Sequence, residues 1–201
     1  MNGRGQGRAR SEQAILDATR ELLAEGGVRE LTVERVAARS GVAKTTIYRR
    51  WRGKDELALA VLIDMVETVV ATPDLGDTRA ELVAFVGAAV RILGKTLMGR
   101  VMQGLVSDLA TDPDLARAFR ERVVAVRLAE VKRVFERGIE RGDLRPDADF
   151  ELAHELLFGP VYYRLLLSGR PLDKRLAGRI VDAVLPAFAR PERLYRDITS
   201  A

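Results

Sequence analysis

The 201-residue sequence predicts an all-α protein of about nine helices, three short ones near the N-terminus followed by a larger helical region. Three observations carry this reading. Apolar residues recur at three- and four-residue spacing, and no segment sustains the alternation of a half-buried strand. Gly, Pro and small polar residues punctuate that spacing where helices would begin and end. A 47% hydrophobic content is ample for a core.

Residues 1–10, MNGRGQGRAR, are rich in Gly and Arg and read as a mobile basic arm. Ser11 is expected to cap a first helix with Ile15, Thr19, Leu22 and Leu23 on one face, ended by Gly26 and Gly27. Thr32 suits the N-cap of a second helix, with Glu34 in its first turn and Val33, Val36 and Ala37 turned inward. Gly41 supplies the backbone on which that helix stops, and a third begins near Ala43, anchored by Ile47 and Trp51 four residues apart. Ala37 is small where these two helices would cross. Gly53 and Lys54 open a fourth helix with Ala58, Val61, Leu62, Met65 and Val69 on one stripe, closed by Thr72 and Pro73.

Asp77 caps a fifth helix carrying Leu82, Phe85, Val86, Ala89 and Leu93, and a short sixth holds Val101, Met102, Leu105 and Val106. Pro113 fits the first turn of a long seventh helix, whose stripe Val124, Leu128, Val131, Phe135, Ile139 ends at Gly142. The eighth is expected over about 149–168, stopped by Gly169 and kinked at Pro160, and the ninth over about 173–190, each with a polar N-cap. Apolar residues on the eighth go most of the way round the wheel. Such a helix is covered on both sides, either by a second copy of the chain or by a large intrachain core.

Charge is uneven. Residues 1–53 hold 11 Lys and Arg against 6 Asp and Glu, a net of +5, and the remainder hold 22 against 23, a net of −1. The basic excess coincides with the second and third helices, the pattern of a helix pair that meets phosphate. Zero cysteines excludes disulfides, thiolate metal sites and cysteine nucleophiles, and fits a reducing cytoplasm. No apolar run approaches the ~20 residues that span a bilayer, so no membrane partner is expected.

His154 is the sole histidine. Glu151-x-x-His154 has the spacing of one half of a two-metal bundle site, which needs a second such motif, and His154-Glu155 lacks the second histidine of a zinc-protease helix because the fifth position is Phe158. No phosphate loop or nucleophile set with supporting context is present. The chain is therefore expected to be neither an enzyme nor a metalloprotein, and to need no cofactor.

The stretch GVAKTTIYRRW followed by GKDEL resembles the helix-turn-helix of the tetracycline-repressor (TetR) family of bacterial transcription regulators. Ala37, Gly41, Ile47, Tyr48, Trp51 and Lys54 carry the resemblance; Trp51 stands where phenylalanine is commoner, which keeps an aromatic anchor. The resemblance implies a mobile arm over 1–10, a DNA-binding domain over 11–53 and a helical ligand-binding and dimerisation domain over 54–201. It implies base-edge contacts from Lys44 and Thr45, with Thr46 shared between base and phosphate. Tyr48, Arg49 and Lys54 would hold phosphates, and Arg8 and Arg10 would reach an adjacent minor groove.

The resemblance further implies a homodimer paired through its last two helices on a palindromic double-stranded operator. Leu157, Val161, Leu165, Val181, Val184, Leu185 and Phe188 are the expected interface. A repressor released by a small-molecule effector is the leading expectation. Phe85, Met102, Phe158, Tyr162 and Tyr163 would line the pocket, with Arg91 or His154 as polar anchors. The alternative is a DNA-binding regulator or architectural protein without an effector, binding many sequences with steep salt dependence.

Overall fold

The structure is a computed structural model that describes residues 3–67, 72–94 and 96–190. It contains α1 (Gly3–Glu30), α2 (Val33–Ser40), α3 (Lys44–Tyr48), α4 (Lys54–Glu67), α5 (Thr78–Leu93), α6 (Leu97–Thr111), α7 (Pro113–Phe119), α8 (Ala125–Glu140), α9 (Phe150–Tyr163) and α10 (Leu176–Val184). The expected seventh helix appears as α7 and α8, continuous through a π turn at Arg120–Val124. No strand occurs among the described residues; Leu144 and Ala189 form a lone antiparallel bridge. No single described helix is long and apolar enough to cross a membrane.

Two compact units emerge, one of Met1–Val69 with Leu97–Val123, the other of Val70–Thr96 with Val124–Ala201. In the first, α1 packs on α2, α4 and α6 around Ile15, Leu22, Leu23, Leu31, Val36, Ile47, Leu57, Leu62 and Leu105. Gly104 lets α6 approach α1 closely, since a Cβ there would lie 2.7 Å from Val28. Packing thus groups α4, α6 and α7 with the N-terminal three helices.

The structure departs from three local expectations. Gly3–Arg10, read as an arm, is helical and continues α1, and Ser11 is an interior residue whose Oγ donates to Gly7 O at 2.9 Å. No proline or left-handed glycine interrupts the run before Gly27 (φ 69°), where the helix geometry breaks as the sequence suggested. The sixth helix is also longer than expected, at 15 residues.

In the second unit α5 packs on α8 and α10, and α8 on α9. Its core includes Leu82, Phe85, Val86, Val131, Phe135, Leu157, Val161, Val181 and Phe188, with the Phe135 and Phe188 rings edge to face at 5.6 Å. Asp77 and Asp149 cap α5 and α9 as expected, Asp77 accepting from Ala80 N at 2.6 Å and Asp149 from Glu151 N and Leu152 N at 3.0 Å each. α9 runs through Pro160, which lies on its exposed side, where water can serve the carbonyl left without a donor. α10 is shorter than expected. It begins at Leu176 without a side-chain cap and ends at Val184, because Pro186 follows and only a 3-10 turn, Leu185–Ala187, continues the chain.

Candidate nucleic-acid interface

The α2–turn–α3 element is built by local chemistry that the sequence makes explicit. Thr32 Oγ1 accepts from Arg35 N at 3.2 Å and starts α2. Gly41 ends it in the left-handed region (φ 69°, ψ 12°), its N–H donating to Ala37 O at 3.1 Å. Ile47 is fully buried and Trp51 nearly so, which pins the underside of α3 and of the turn after it.

The opposite edge is open. Lys44, Thr45, Tyr48 and Arg49 are exposed and Thr46 is half-buried. Tyr48 is 49% exposed, so its ring is not part of the core and its hydroxyl is free to donate. Arg10 is exposed on α1, and neither it nor Arg49 makes an ion pair with the described residues. Lys44 Nζ lies 3.4 Å from Glu34 Oε1. The Glu34 carboxyl is held below its ordinary range, first by its own backbone N–H and then by Lys44.

Several nearby cations are already engaged. Lys54 Nζ donates to Val28 O at 3.4 Å and lies 3.9 Å from Asp55, which ties it to the end of α1. Arg50, 17% exposed, pairs with Glu12 of α1 and lies over the Trp51 ring at 5.9 Å. Arg39 bonds Glu25 at 2.8 and 3.1 Å, and Arg52 pairs with Glu56 and with Asp114 at 3.0 Å. The cations left outward are few and lie along the α3 edge and α1.

In the second unit the structure brings together some of the expected pocket residues. Phe85 and Phe158 are buried, edge to face at 5.4 Å, and the His154 ring lies 4.8 Å from Phe158. Burial pushes His154 below the ordinary imidazole range, with Glu155 opposing weakly. Tyr162 is half-buried, and burial pushes its phenol up against the opposing pull of Arg127. Arg127, not singled out from the sequence, is itself pushed down by burial. Hydrophobic spacing gave no signal for it because its side chain is charged, although it shares the α8 face of buried Val131, Val134 and Gly138.

Other expectations fail. Arg91 is exposed and Tyr163 is 58% exposed, so neither lines an interior, and Met102 is buried in the first unit, whereas Phe85 and Phe158 belong to the second. Of the expected interface, Leu157, Val161, Val181 and Phe188 are buried in the chain's own core and unavailable to a second copy. Leu165, Val184 and Leu185 are half-buried. The apolar residues that α9 and its terminal π turn leave outward are Leu152, Leu156, Tyr163, Leu166 and Leu167, on one stripe at four- and seven-residue spacing. Among the described residues no group of three or more His, Asp or Glu side chains is placed to hold a metal.

Residues 15–61 match the family model described as "Bacterial regulatory proteins, tetR family", and residues 72–184 match "Tetracyclin repressor-like, C-terminal domain". The chain is 32% identical over 186 residues to the HTH-type transcriptional regulator YdeS of Bacillus subtilis, covering 91% of this chain and 92% of that one. It is 32% identical over 193 residues to the DNA-binding transcriptional repressor TetR of Mycobacteroides abscessus, covering 95% and 98%. Among solved structures, the TetR family transcription regulator SCO0332 superposes with a TM-score of 0.76 at 37% identity, covering 90% of this chain and 99% of that chain. With both halves of the family pattern matched in order and the α2–turn–α3 element presenting an open edge, the chain belongs to the TetR family of DNA-binding transcriptional regulators.

Proposed function

We propose that the chain is a homodimeric repressor that binds a palindromic operator in the cytoplasm, has no catalytic role, and is released by a small-molecule effector. The observation that carries this reading is the α3 edge. Lys44, Thr45, Tyr48 and Arg49 are exposed on a helix whose other side is held by Ile47 and Trp51. A helix presented this way fits the major groove, where base edges distinguish all four pairs. Lys44 and Thr45 are assigned to base edges and Thr46 to base and phosphate. Tyr48 and Arg49 are assigned to phosphates, and Arg10 to the neighbouring backbone or minor groove. Lys54, engaged with Val28 O, acts on phosphate only after giving up that bond.

The second copy is assigned to the outward stripe Leu152, Leu156, Tyr163, Leu166 and Leu167, together with half-buried Leu165, Val184 and Leu185. Water-facing apolar residues in one line are the feature that self-association removes. The effector is assigned to the second unit, at Phe85, His154, Phe158 and Tyr162, with Arg127 as a further polar group. Residues 11–53 carry the reading helices in this scheme, and 54–201 the effector and pairing elements, with α4, α6 and α7 packed beside the reading helices in the first unit.

The test is footprinting of purified protein on the DNA flanking its own gene, followed by anisotropy titration with a library of apolar small molecules. The expected result is a two-fold symmetric protected site and at least one compound that weakens binding. Protection with no sequence preference, or an operator complex indifferent to every compound, would remove the repressor or the effector part of the reading respectively.

A further inference from the structure

Inside the first unit α1, α4 and α7 enclose an open cleft of about 430 Å³, within the size range of small-molecule sites. Its apolar lining includes Leu16, Trp51, Leu59, Ile63, Leu115 and Ala118, of which Leu16, Ile63 and Ala118 are only half-covered by the chain itself. Its polar lining is four carboxylates, Glu12, Glu56, Asp64 and Asp114, against one cation, Arg122.

Those carboxylates have arginine partners, but the partners do not line the cleft. Arg50 holds Glu12, Arg20 holds Asp64 at 2.6 Å, Arg52 holds Glu56 by side chain and backbone N–H, and Arg52 and Arg117 hold the two oxygens of Asp114 at 3.0 and 2.7 Å. Both oxygens of Glu56 and Asp114 are thereby engaged, whereas Glu12 and Asp64 each pair through a single oxygen and keep acceptor capacity on the other. The cleft therefore offers carboxylate acceptors, at Glu12 and Asp64, beside an aromatic and aliphatic floor. It suits a donor-rich cation with an apolar body better than an anion of the same shape, which brings no donor to those oxygens.

We propose that this cleft is an effector site within the DNA-reading unit, separate from the residues assigned above, and that its ligand is a small organic cation carrying an aromatic or aliphatic body. The site touches the reading element directly. Trp51 is the last inward anchor after α3, and Arg50 both stacks on it and pairs with Glu12. A cation at Glu12 competes with Arg50 for that carboxylate and rests on the Trp51 ring, so occupancy is read at the end of the recognition segment. The cleft's far wall ends in Arg122, within the π turn Arg120–Val124; such turns cluster at functional sites.

Trp51 is the only tryptophan of the chain, so its fluorescence reports on this cleft and on the turn after α3 that it anchors. The full-length protein is titrated, without DNA, with 4-phenylbutylamine, 4-phenylbutanol and 4-phenylbutyrate, three probes with one body and three head groups. The expected result is a saturable change with the amine, and binding at least about tenfold weaker for the alcohol and the carboxylate. Asp64→Asn removes a lining charge and Ala118→Met fills the cleft without changing charge; each is expected to weaken the amine at least about fivefold. Circular dichroism checks that both variants are folded, and Ala118→Met decides if Asp64→Asn is not. Equal response to amine and alcohol, no saturable response up to about 10 mM, or a folded Ala118→Met protein that binds the amine like the parent would each overturn the proposal.

Discussion

Glu81 has no exposed surface, yet it sits at the centre of an ionic cluster, and replacing it tests how the second unit is held together. Its carboxylate accepts from Arg137 Nε at 3.0 Å and Nη2 at 2.6 Å, lies 3.1 Å from Arg141 Nη1, and accepts from Leu75 N at 3.2 Å. One side chain thereby joins α5, α8, the turn after α8 and the segment that leads into α5. Glu81→Ala strands two guanidiniums that are each only 23% exposed. Breaking a buried pair by removing one partner costs about 3–5 kcal/mol. Here the lower end applies, because Arg141 keeps Asp143 at 3.3 Å and Asp74 at 3.2 Å, while Arg137 keeps only a 3.9 Å approach to Asp74.

A loss of about 3 kcal/mol corresponds to a fall in melting temperature of about 6–12 °C for a chain of this size. Glu81→Gln retains the shape and one acceptor and is expected to lose about 1.5–2 kcal/mol. Urea denaturation followed by circular dichroism measures both, and a double-mutant cycle with Arg137→Met isolates the pair. A Glu81→Ala protein within about 1 kcal/mol of the parent would refute the reasoning, since that is the worth of an exposed ion pair.

Three further outcomes are expected. Lys44→Ala relaxes discrimination at one operator position by about 1–3 kcal/mol, whereas Arg49→Ala weakens all duplexes alike and lowers the salt slope by about one; anisotropy titrations on operator and scrambled DNA separate the two. Leu156→Asp places a charge in the outward stripe of α9 and is expected to shift sedimentation toward monomer, whereas Val106→Asp, also exposed but on α6, leaves the assembly unchanged. Burial holds His154 below the ordinary value of 6.5, so the folded chain binds fewer protons there than the unfolded one, and stability falls as pH drops through that value. His154→Gln should flatten the dependence of the urea midpoint between about pH 7 and pH 5, above the range where lowered carboxylates such as Glu25 and Asp74 contribute. An unchanged slope would count against a desolvated imidazole.

The reading element was legible because its signals are local. Thr32, Gly41, Ile47 and Trp51 act within one or two turns of themselves, and each does in the structure what its residue type implies. The same holds for Asp77, Asp149 and the break at Gly27. The misplaced boundaries also have local causes. Pro186 outweighs the apolar spacing that suggested a helix to residue 190, and residues 3–10 add to α1 where composition alone suggested an arm.

Spacing and side-chain chemistry alone thus determined the helical class, the recognition element, its family and the polarity of its two faces. Which arc of α9 meets its own core was decided only by tertiary packing. Leu157 and Leu156 are adjacent, equally apolar and indistinguishable by period, yet one is buried and the other is 42% exposed. The same holds for the pairing of Arg50 with Glu12, 38 positions apart, and for the cluster at Glu81, whose arginine partners lie more than 50 residues away. A helix specifies its own turn through bonds a few residues long. Its neighbours are chosen by the collective fit of distant surfaces, which no window of sequence contains.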